Sequence, residues 1–561
     1  MTKKFDSLDL EIAWSRITSI ADEADANVAR TAFSSIIRDS HDYSCGIYDA
    51  RGNLLSQPST VAPGHLGGMT AAMQTLRTFF PFDTLQDGDV IVTNDPWIMS
   101  GHLPDVMVTM PVFRRSRLVA FAGCVFHHQD IGGHLGTDTL EVFEEGLQIP
   151  PCKLYRAGQE NDDLFRIIAQ NVRLPDLVVN DLRSQVASLH STANRIRAFL
   201  DEFGLDELDT LADEIYARTE AAMRRSIREV PDGEYFADKL IEFGGQERDI
   251  ALKLRLLVRD GEIDADFSGT DPQVARGINC VMNYTTAYFL FGVVSLLAPF
   301  LPSNAGAVRP LRVRAPEGCV LNALRPAPVV GRIAVGQFIP ELVYAALAQV
   351  MPDRVIAESG SLPLWWLTLS GRRRGGKPFV VGPMFSGGLG ARSRSDGIST
   401  LTFPTNVMNN PVEMMESESP LLVERRELVP DSAGPGRHRG GYGQEFVVRV
   451  PVDETAPEGS VVAFLVAGRF VSGPRGIRGG GDAGAASVTV NGKSIGWGKP
   501  HLLKPGDRIA FRTAGGGGYG DPQERDRESV RVEMRDGLIS PRVARDVYAL
   551  ADPVEGEARQ S

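Results

Sequence analysis

Asn94–Pro151 reads NDPWIMSGHLPDVMVTMPVFRRSRLVAFAGCVFHHQDIGGHLGTDTLEVFEEGLQIPP. Two runs rich in Val and Phe, Val106–Phe113 and Leu118–Phe126, flank the basic turn Arg114–Arg117, which is a hairpin signal. Metal-ligating side chains stand just outside its open ends. His102-Leu103-Pro104-Asp105 leads into the first run, and His127-His128-Gln129-Asp130 leaves the second. Folding about the turn brings Asp105 beside His127 and His128. Two imidazoles and a carboxylate on one rim suit a divalent metal that keeps a position open for water. Side chains alternate along a strand, so pairing Phe113 with Leu118 in regular register puts Asp105 on the face of His128. A slip or bulge of one residue selects His127 instead. The sequence leaves both open.

Working outward, the hairpin sits in a region dense in histidine. Six of the nine histidines (41, 65, 102, 127, 128 and 134) fall in the first quarter of the chain, a clustering that scattered surface polarity does not explain. Leu8 to Phe33 reads as one helix with Ser7 as its N-cap and Leu8, Ile12, Ile17, Ile20, Ala24 and Val28 at helical spacing. DYSCGIYDARGNLLSQ is a second hairpin turning at Asp49–Gly52, with Asp42 at its start as Asp105 is at the start of the next. Val61–Phe80 is a Gly-rich loop followed by a helix, and its His65 reads as packing the loop. Glu144 and Glu145 are candidates for a general base, although a Glu before a Gly is commonly a surface cap.

Residues 161–228 are charged and helical, with a stop at Gly204. Pro231-Asp232-Gly233 opens a strand-rich region whose hairpin turns at Asp260-Gly261, followed by an apolar helix near 287–298 and another at about Glu341–Val350. Beyond Ser386 the chain is loop-heavy, with a type I′ turn at Asn491-Gly492 and two helices in the tail. The expected class is α+β: several domains of mixed helix and antiparallel sheet, with a hairpin-borne metal site in the N-terminal region. The expected division is 1–230 for the metal-site and helical region, 231–385 for a central α/β region, and 386–561 for a β-rich region with a helical tail.

Composition narrows the function. The 561 residues carry 59 basic and 71 acidic side chains, a formal charge of −12, which argues against nucleic acid or an anionic membrane as partner. Five dispersed cysteines without CxxC spacing suit reduced thiols in a cytoplasmic protein. The start, MTKKFDSLDLEIAW, turns acidic where a signal peptide is apolar, and the apolar run Ala287–Leu301 is short for a bilayer and contains Gly292 and Pro299. Phosphate-binding signals are poor. Gly492-Lys493-Ser494 ends like a Walker A motif but lies in a hairpin with Ser487 in place of the first glycine. Thr513–Pro522, TAGGGGYGDP, reads as a flexible connector.

RDSHDYSCGIYDARGNLLSQ, NDPWIMSGHLPDVMVTMPVF, HHQDIGGHLGTDTLEVFEEGLQIPPCKLY, DFSGTDPQVARGINC, ELVPDSAGPGRHRGGYG and TAGGGGYGDPQERDRESVRVEMRDGLISPRVARDVY resemble the hydantoinase B / oxoprolinase family, in the family's order from about residue 8 to 550. The family holds B subunits of ATP-dependent N-methylhydantoinases, the C-terminal part of 5-oxoprolinases, lactamase subunits and subunits of acetone- and acetophenone-type carboxylases. The resemblance implies a hetero-oligomer. In it an A-type ATPase subunit, using ATP and Mg, phosphorylates a small cyclic amide or ketone substrate, and the B-type chain completes the reaction at a divalent metal, zinc or manganese. Carried over by position, it implies the ligands Asp42, His102, Asp105 and His127, with His128 beside them. Glu145 and His128 are then the candidate proton acceptors, since both lie near the ligands in sequence and titrate usefully. Two stretches depart from the family's pattern, Gly331–Leu347 and NNPVE at Asn410, and both bear on the substrate.

Overall fold

A computed structural model of the chain describes residues 5–59, 61–134, 136–242, 249–452 and 461–550. Met1–Lys4 of the N-terminal stretch read above, and Leu135 within the histidine-rich motif, lie outside them. The fold is mixed α and β, built largely on antiparallel sheets. The chain separates into two compact units, interleaved in sequence. One comprises residues 1–239, 252–346 and 405–407, the other 240–251, 347–404 and 408–561.

The first unit is organised on a seven-stranded antiparallel sheet. Its strands are β1 (Tyr43–Asp49), β2 (Leu54–Ser56), β3 (Val90–Thr93), β4 (Asp105–Arg114), β5 (Arg117–His127), β6 (Cys152–Arg156) and β7 (Gln159–Glu160), in the order β2-β1-β5-β4-β3-β6-β7. β1 and the inner parts of β4 and β5 are buried along their whole length. That explains why these strands read as continuous apolar runs: each has a helix on both faces.

The helices are α1 (Ser7–Thr31), α2 (Ser35–Arg38), α3 (Pro63–Phe79), α4 (Asp162–Asn171), α5 (Pro175–Glu202) and α6 (Asp209–Ile227). α3 lies on one face, where Met69, Met73 and Leu76 pack on Tyr48, Met107, Phe121 and Val125. α5 covers the other face, with α1 packed against it. α1 is capped by Asp6, which accepts from the amide of Asp9, rather than by Ser7. Its buried stripe runs through Leu10, Ala13, Ile17, Ile20, Ala24 and Val28, leaving Leu8 and Ile12 exposed. The expected apolar helix is α7 (Met282–Leu297), which crosses α3 closely. A Cβ at Gly67 would stand 2.3 Å from the Cβ of Ala287. Only glycine lets the two backbones meet there.

Strands at Gly233–Ile241, Ile250–Arg259, Glu262–Asp266 and Leu311–Arg314 form a four-stranded sheet with one parallel pair. The second unit contains two five-stranded antiparallel sheets. Trp365 and Phe385 of one pack on Phe446 and Phe511 of the other, with Phe385 and Phe511 5.2 Å apart between ring centres. Thr513–Gly520 is not a flexible connector: it is buried throughout. Backbone amides tie it to other extended segments, with Gly434 and Gly516 donating to Gly516 and Gly441, and Gly518 donating to Gly481. Among the described residues no helix is long and apolar enough to cross a membrane.

Candidate metal centre

The β4–β5 hairpin turns through Arg115 and Ser116, both at positive φ, and Phe113 pairs with Leu118. Val112 then pairs with Ala120, so Val119 is an extra residue and the ladder shifts by one. The shifted register runs to the open end, where Asp105 faces His127. On the far side of β5, Tyr43 pairs with Phe126, and the His127 amide donates to the Asp42 carbonyl at 3.1 Å. Three neighbouring strand ends thus carry Asp42, Asp105 and His127. His102 comes from the turn before β4. His65, in the first turn of α3 rather than in a loop, comes down over the same rim.

All five side chains are buried. Asp105 Oδ1 lies 2.8 Å from His102 Nε2 and 3.0 Å from His127 Nδ1. Its Oδ2 faces the other way: it accepts from Ser100 Oγ and from Arg332 Nη2 (2.8 Å), with His65 Nε2 at 3.3 Å. Asp42 stands slightly further off, 3.7 Å from His127 Nδ1 and 3.6 Å from His65 Nε2. His102, Asp105 and His127 can each offer one ligand atom, with all three atoms within 4.8 Å of one another.

The protonation pattern favours a cation. His102 Nδ1 lies 3.1 Å from the Val330 carbonyl, which can only accept, so Nδ1 carries the hydrogen. In the neutral ring Nε2 then turns a lone pair toward a carboxylate oxygen. Protonating Nε2 as well is costly, because burial and the nearby Arg332 charge push His102 down to about 3. Burial opposes ionisation of Asp105, but the surrounding histidines and Arg332 hold its carboxyl well below the ordinary range. A metal ion between the two acceptors resolves the conflict, and a carbonyl on the remote nitrogen is the usual support of a metal-bound imidazole. The donor set fits the group.

A sequence model of the hydantoinase B/oxoprolinase family matches residues 6–522. The chain belongs to that family. It is 31% identical over 575 residues to a Pseudomonas sp. (strain NS671) protein described as the B-type chain of a D-/L-hydantoinase, covering 98% of this chain and 95% of the relative. The crystal structure of an ATP-dependent caprolactamase from Pseudomonas jessenii superposes with a TM-score of 0.90 at 26% identity, over 99% of this chain and 98% of that one. A nucleotide-free acetone carboxylase shares the fold at 19% identity, with a TM-score of 0.83 over 96% of this chain and 80% of that one.

In this hydantoinase B-family chain the two glutamates part company. Glu144 is an exposed cap whose Oε1 accepts from the amides of Leu140 and Glu141. Glu145 is buried, with Oε1 accepting from Thr139 Oγ1, Val329 N and Val330 N, while Oε2 meets no partner among the described residues. Burial raises its carboxyl to about 7, even though those donors work against the rise. One residue, Val330, links Glu145 to His102, its amide donating to the carboxylate and its carbonyl accepting from the imidazole. His128 is turned to the α5 face. Its Nε2 lies 3.2 Å from Gln185 Oε1, and Gln185 donates in turn to the Val106 carbonyl. Sequence reading missed Ser100 and Arg332 and gave His65 only a packing role. Arg332 lies far along the chain from the hairpin, so no local spacing could have joined it to Asp105.

Proposed function

We propose that this chain is the B-type subunit of an ATP-dependent cyclic amidase of the hydantoinase and oxoprolinase type, working with an A-type ATPase subunit in a hetero-oligomer. The end-to-end fold match to an ATP-dependent caprolactamase carries this reading. Ring amides resist water because resonance weakens the carbonyl carbon. Phosphorylation of the amide oxygen by the partner, with ATP and Mg, makes that oxygen a leaving group. The present chain then directs water onto the activated carbon. The adduct opens by breaking its C–N bond as the ring nitrogen takes up a proton, and a second water releases phosphate from the resulting acyl phosphate.

Asp42, His102, Asp105 and His127 would hold the ion, with Asp42 drawing in from its longer distance. Zinc or manganese bound there supplies Lewis acidity. Val330 fixes the tautomer and orientation of His102, and Ser100 and Arg332 hold Asp105 by its second oxygen. Glu145, poised near neutrality, takes the proton from the attacking water. His128 holds the end of β5 to α5 through Gln185. We place the assembly in the cytoplasm, where ATP is supplied and free cysteines stay reduced.

The test is reconstitution with the A-type subunit on hydantoins, oxoproline, lactams and ketones. The expected result is ring opening that requires ATP, both chains and the metal. Ring opening without ATP, or bicarbonate-dependent carboxylation of a ketone in its place, would overturn the reading in favour of another enzyme of this fold.

A further inference from the structure

Arg332 is the buried cation of the centre, 3% exposed, and it is only partly used. Its Nη2 donates to Asp105 Oδ2 at 2.8 Å, and its guanidinium carbon lies 4.4 Å from the centre of the Tyr284 ring. Nη1 and Nε, both buried, meet no acceptor among the described residues. Of five N–H bonds, at least three therefore meet no acceptor among the described residues. A charged donor left bare in the interior is costly, so a buried guanidinium with spare hydrogens marks a place where an anion supplies the acceptors. The Tyr284 face holds the plane of the fork. Asp105, already engaged by Ser100 and the histidines, anchors one nitrogen and leaves the others free.

We propose that Arg332 is the phosphoryl-binding residue of this centre, holding the phosphate oxygens of the activated amide or of the phosphate released from it. The inference rests on the amidase reading above. The ring amide itself is uncharged and the rings and their substituents differ, so the phosphoryl group is the one anion every activated substrate shares. A planar guanidinium suits it better than an ammonium, because its fixed fork meets two oxygens at once. The same residue then ties the leaving group to Asp105, which holds attack and departure in register. Nothing in this role requires Arg332 to change protonation.

The experiment uses the full chain, metal-loaded, with inorganic phosphate as probe, comparing wild type with Arg332→Lys and Arg332→Gln. Phosphate binding is followed by calorimetry and metal content by elemental analysis. Arg332→Lys keeps a charge beside Asp105 and so separates the fork from the support of the ligand. The expected result is full metal content in Arg332→Lys with phosphate binding weaker by about tenfold or more, one hydrogen bond to a charged group being worth roughly that factor. Unchanged phosphate binding in both variants overturns the proposal. So does loss of metal in Arg332→Lys, which would make Arg332 a support for Asp105 alone. In the reconstituted complex, ATP consumption that outruns ring opening in Arg332→Lys identifies the activated amide as the ligand. Coupled turnover with weakened product inhibition identifies released phosphate. If the complex opens no ring amide while phosphate binding still depends on Arg332, the amidase reading fails and the phosphoryl site stands.

Discussion

At the scale of single residues, the partner of one atom decides what another can do. His102 Nδ1 is committed to Val330, which leaves Nε2 for a cation. His127, the last residue of β5, and His128, the next in sequence, turn to different neighbours, Asp105 and Gln185, so the same substitution has different consequences. His127→Ala should reduce bound metal to near zero in elemental analysis. His128→Ala should retain the metal and lose about 1–3 kcal/mol of stability in denaturant melts, because it leaves Gln185 without its donor. Metal lost only in His128→Ala would sink the assignment. Glu145 makes a pH prediction. Its folded value of about 7 lies above the ordinary 4.5, so the folded state binds the proton more tightly. The stability it contributes is full below about 4.5 and falls as pH rises through about 7. As a base it must be ionised, so activity should rise with pH through about 7. Glu145→Gln should abolish that limb, cut turnover by roughly 10²–10⁴-fold, and melt higher than wild type at pH 8. An acid limb unchanged in Glu145→Gln would remove it from the mechanism.

At the scale of elements, the sequence was most legible where one period runs unbroken. The two hairpins, the turns at Asp260-Gly261 and Asn491-Gly492, and the helix ending near Gly204 stand where the alternation and turn chemistry put them. What the sequence could not decide was register across the hairpin, because Val119 is as apolar as its neighbours and nothing local marks it as the extra residue. His65 was misread for a related reason. Glycine-rich PGHLGG resembles a loop, yet Pro63 opens a helix, and the glycines serve close approach rather than flexibility, Gly64 and Gly67 to α7 and Gly68 to the Met99–Ser100 backbone. The same misreading befell Thr513–Gly520. Here glycine is used because extended backbones pack against one another with no space for a Cβ, which at Gly516 would lie 2.0 Å from the Leu389 carbonyl oxygen. Backbone on both sides leaves no flexible side chain to yield. Gly516→Ala should therefore cost at least the ~1–3 kcal/mol of an overpacked core, read as a lowered melting temperature. An unchanged melting temperature would show that these segments are loose.

At the scale of the whole molecule, family membership was legible because its motifs are spread over almost the entire chain, whereas Arg332 and Asp105, 227 residues apart, meet only in three dimensions. The division of labour makes the last prediction: the purified chain alone should not turn over ATP. Two sequence stretches that come near to phosphate-binding motifs are engaged otherwise. Gly492-Lys493-Ser494 forms a β-hairpin, with Asn491 and Gly492 at φ of 50° and 77°, where a phosphate loop would lead from a strand into a helix. Within Thr513–Gly520, Gly516, Gly517 and Gly518 spend their amides on the carbonyls of Gly441, Glu358 and Gly481, so those amides cannot also cradle a phosphate. ATP consumption should appear only when the A-type subunit is added, and should rise further with a ring amide. The check is phosphate release from ATP by each chain alone and by the mixture, at equal concentration and with metal present. Release by this chain alone at the rate of the mixture would mean that it carries a nucleotide site of its own. Release by the partner alone at that rate, with no ring opened until this chain is added, would place activation wholly in one subunit and hydrolysis in the other.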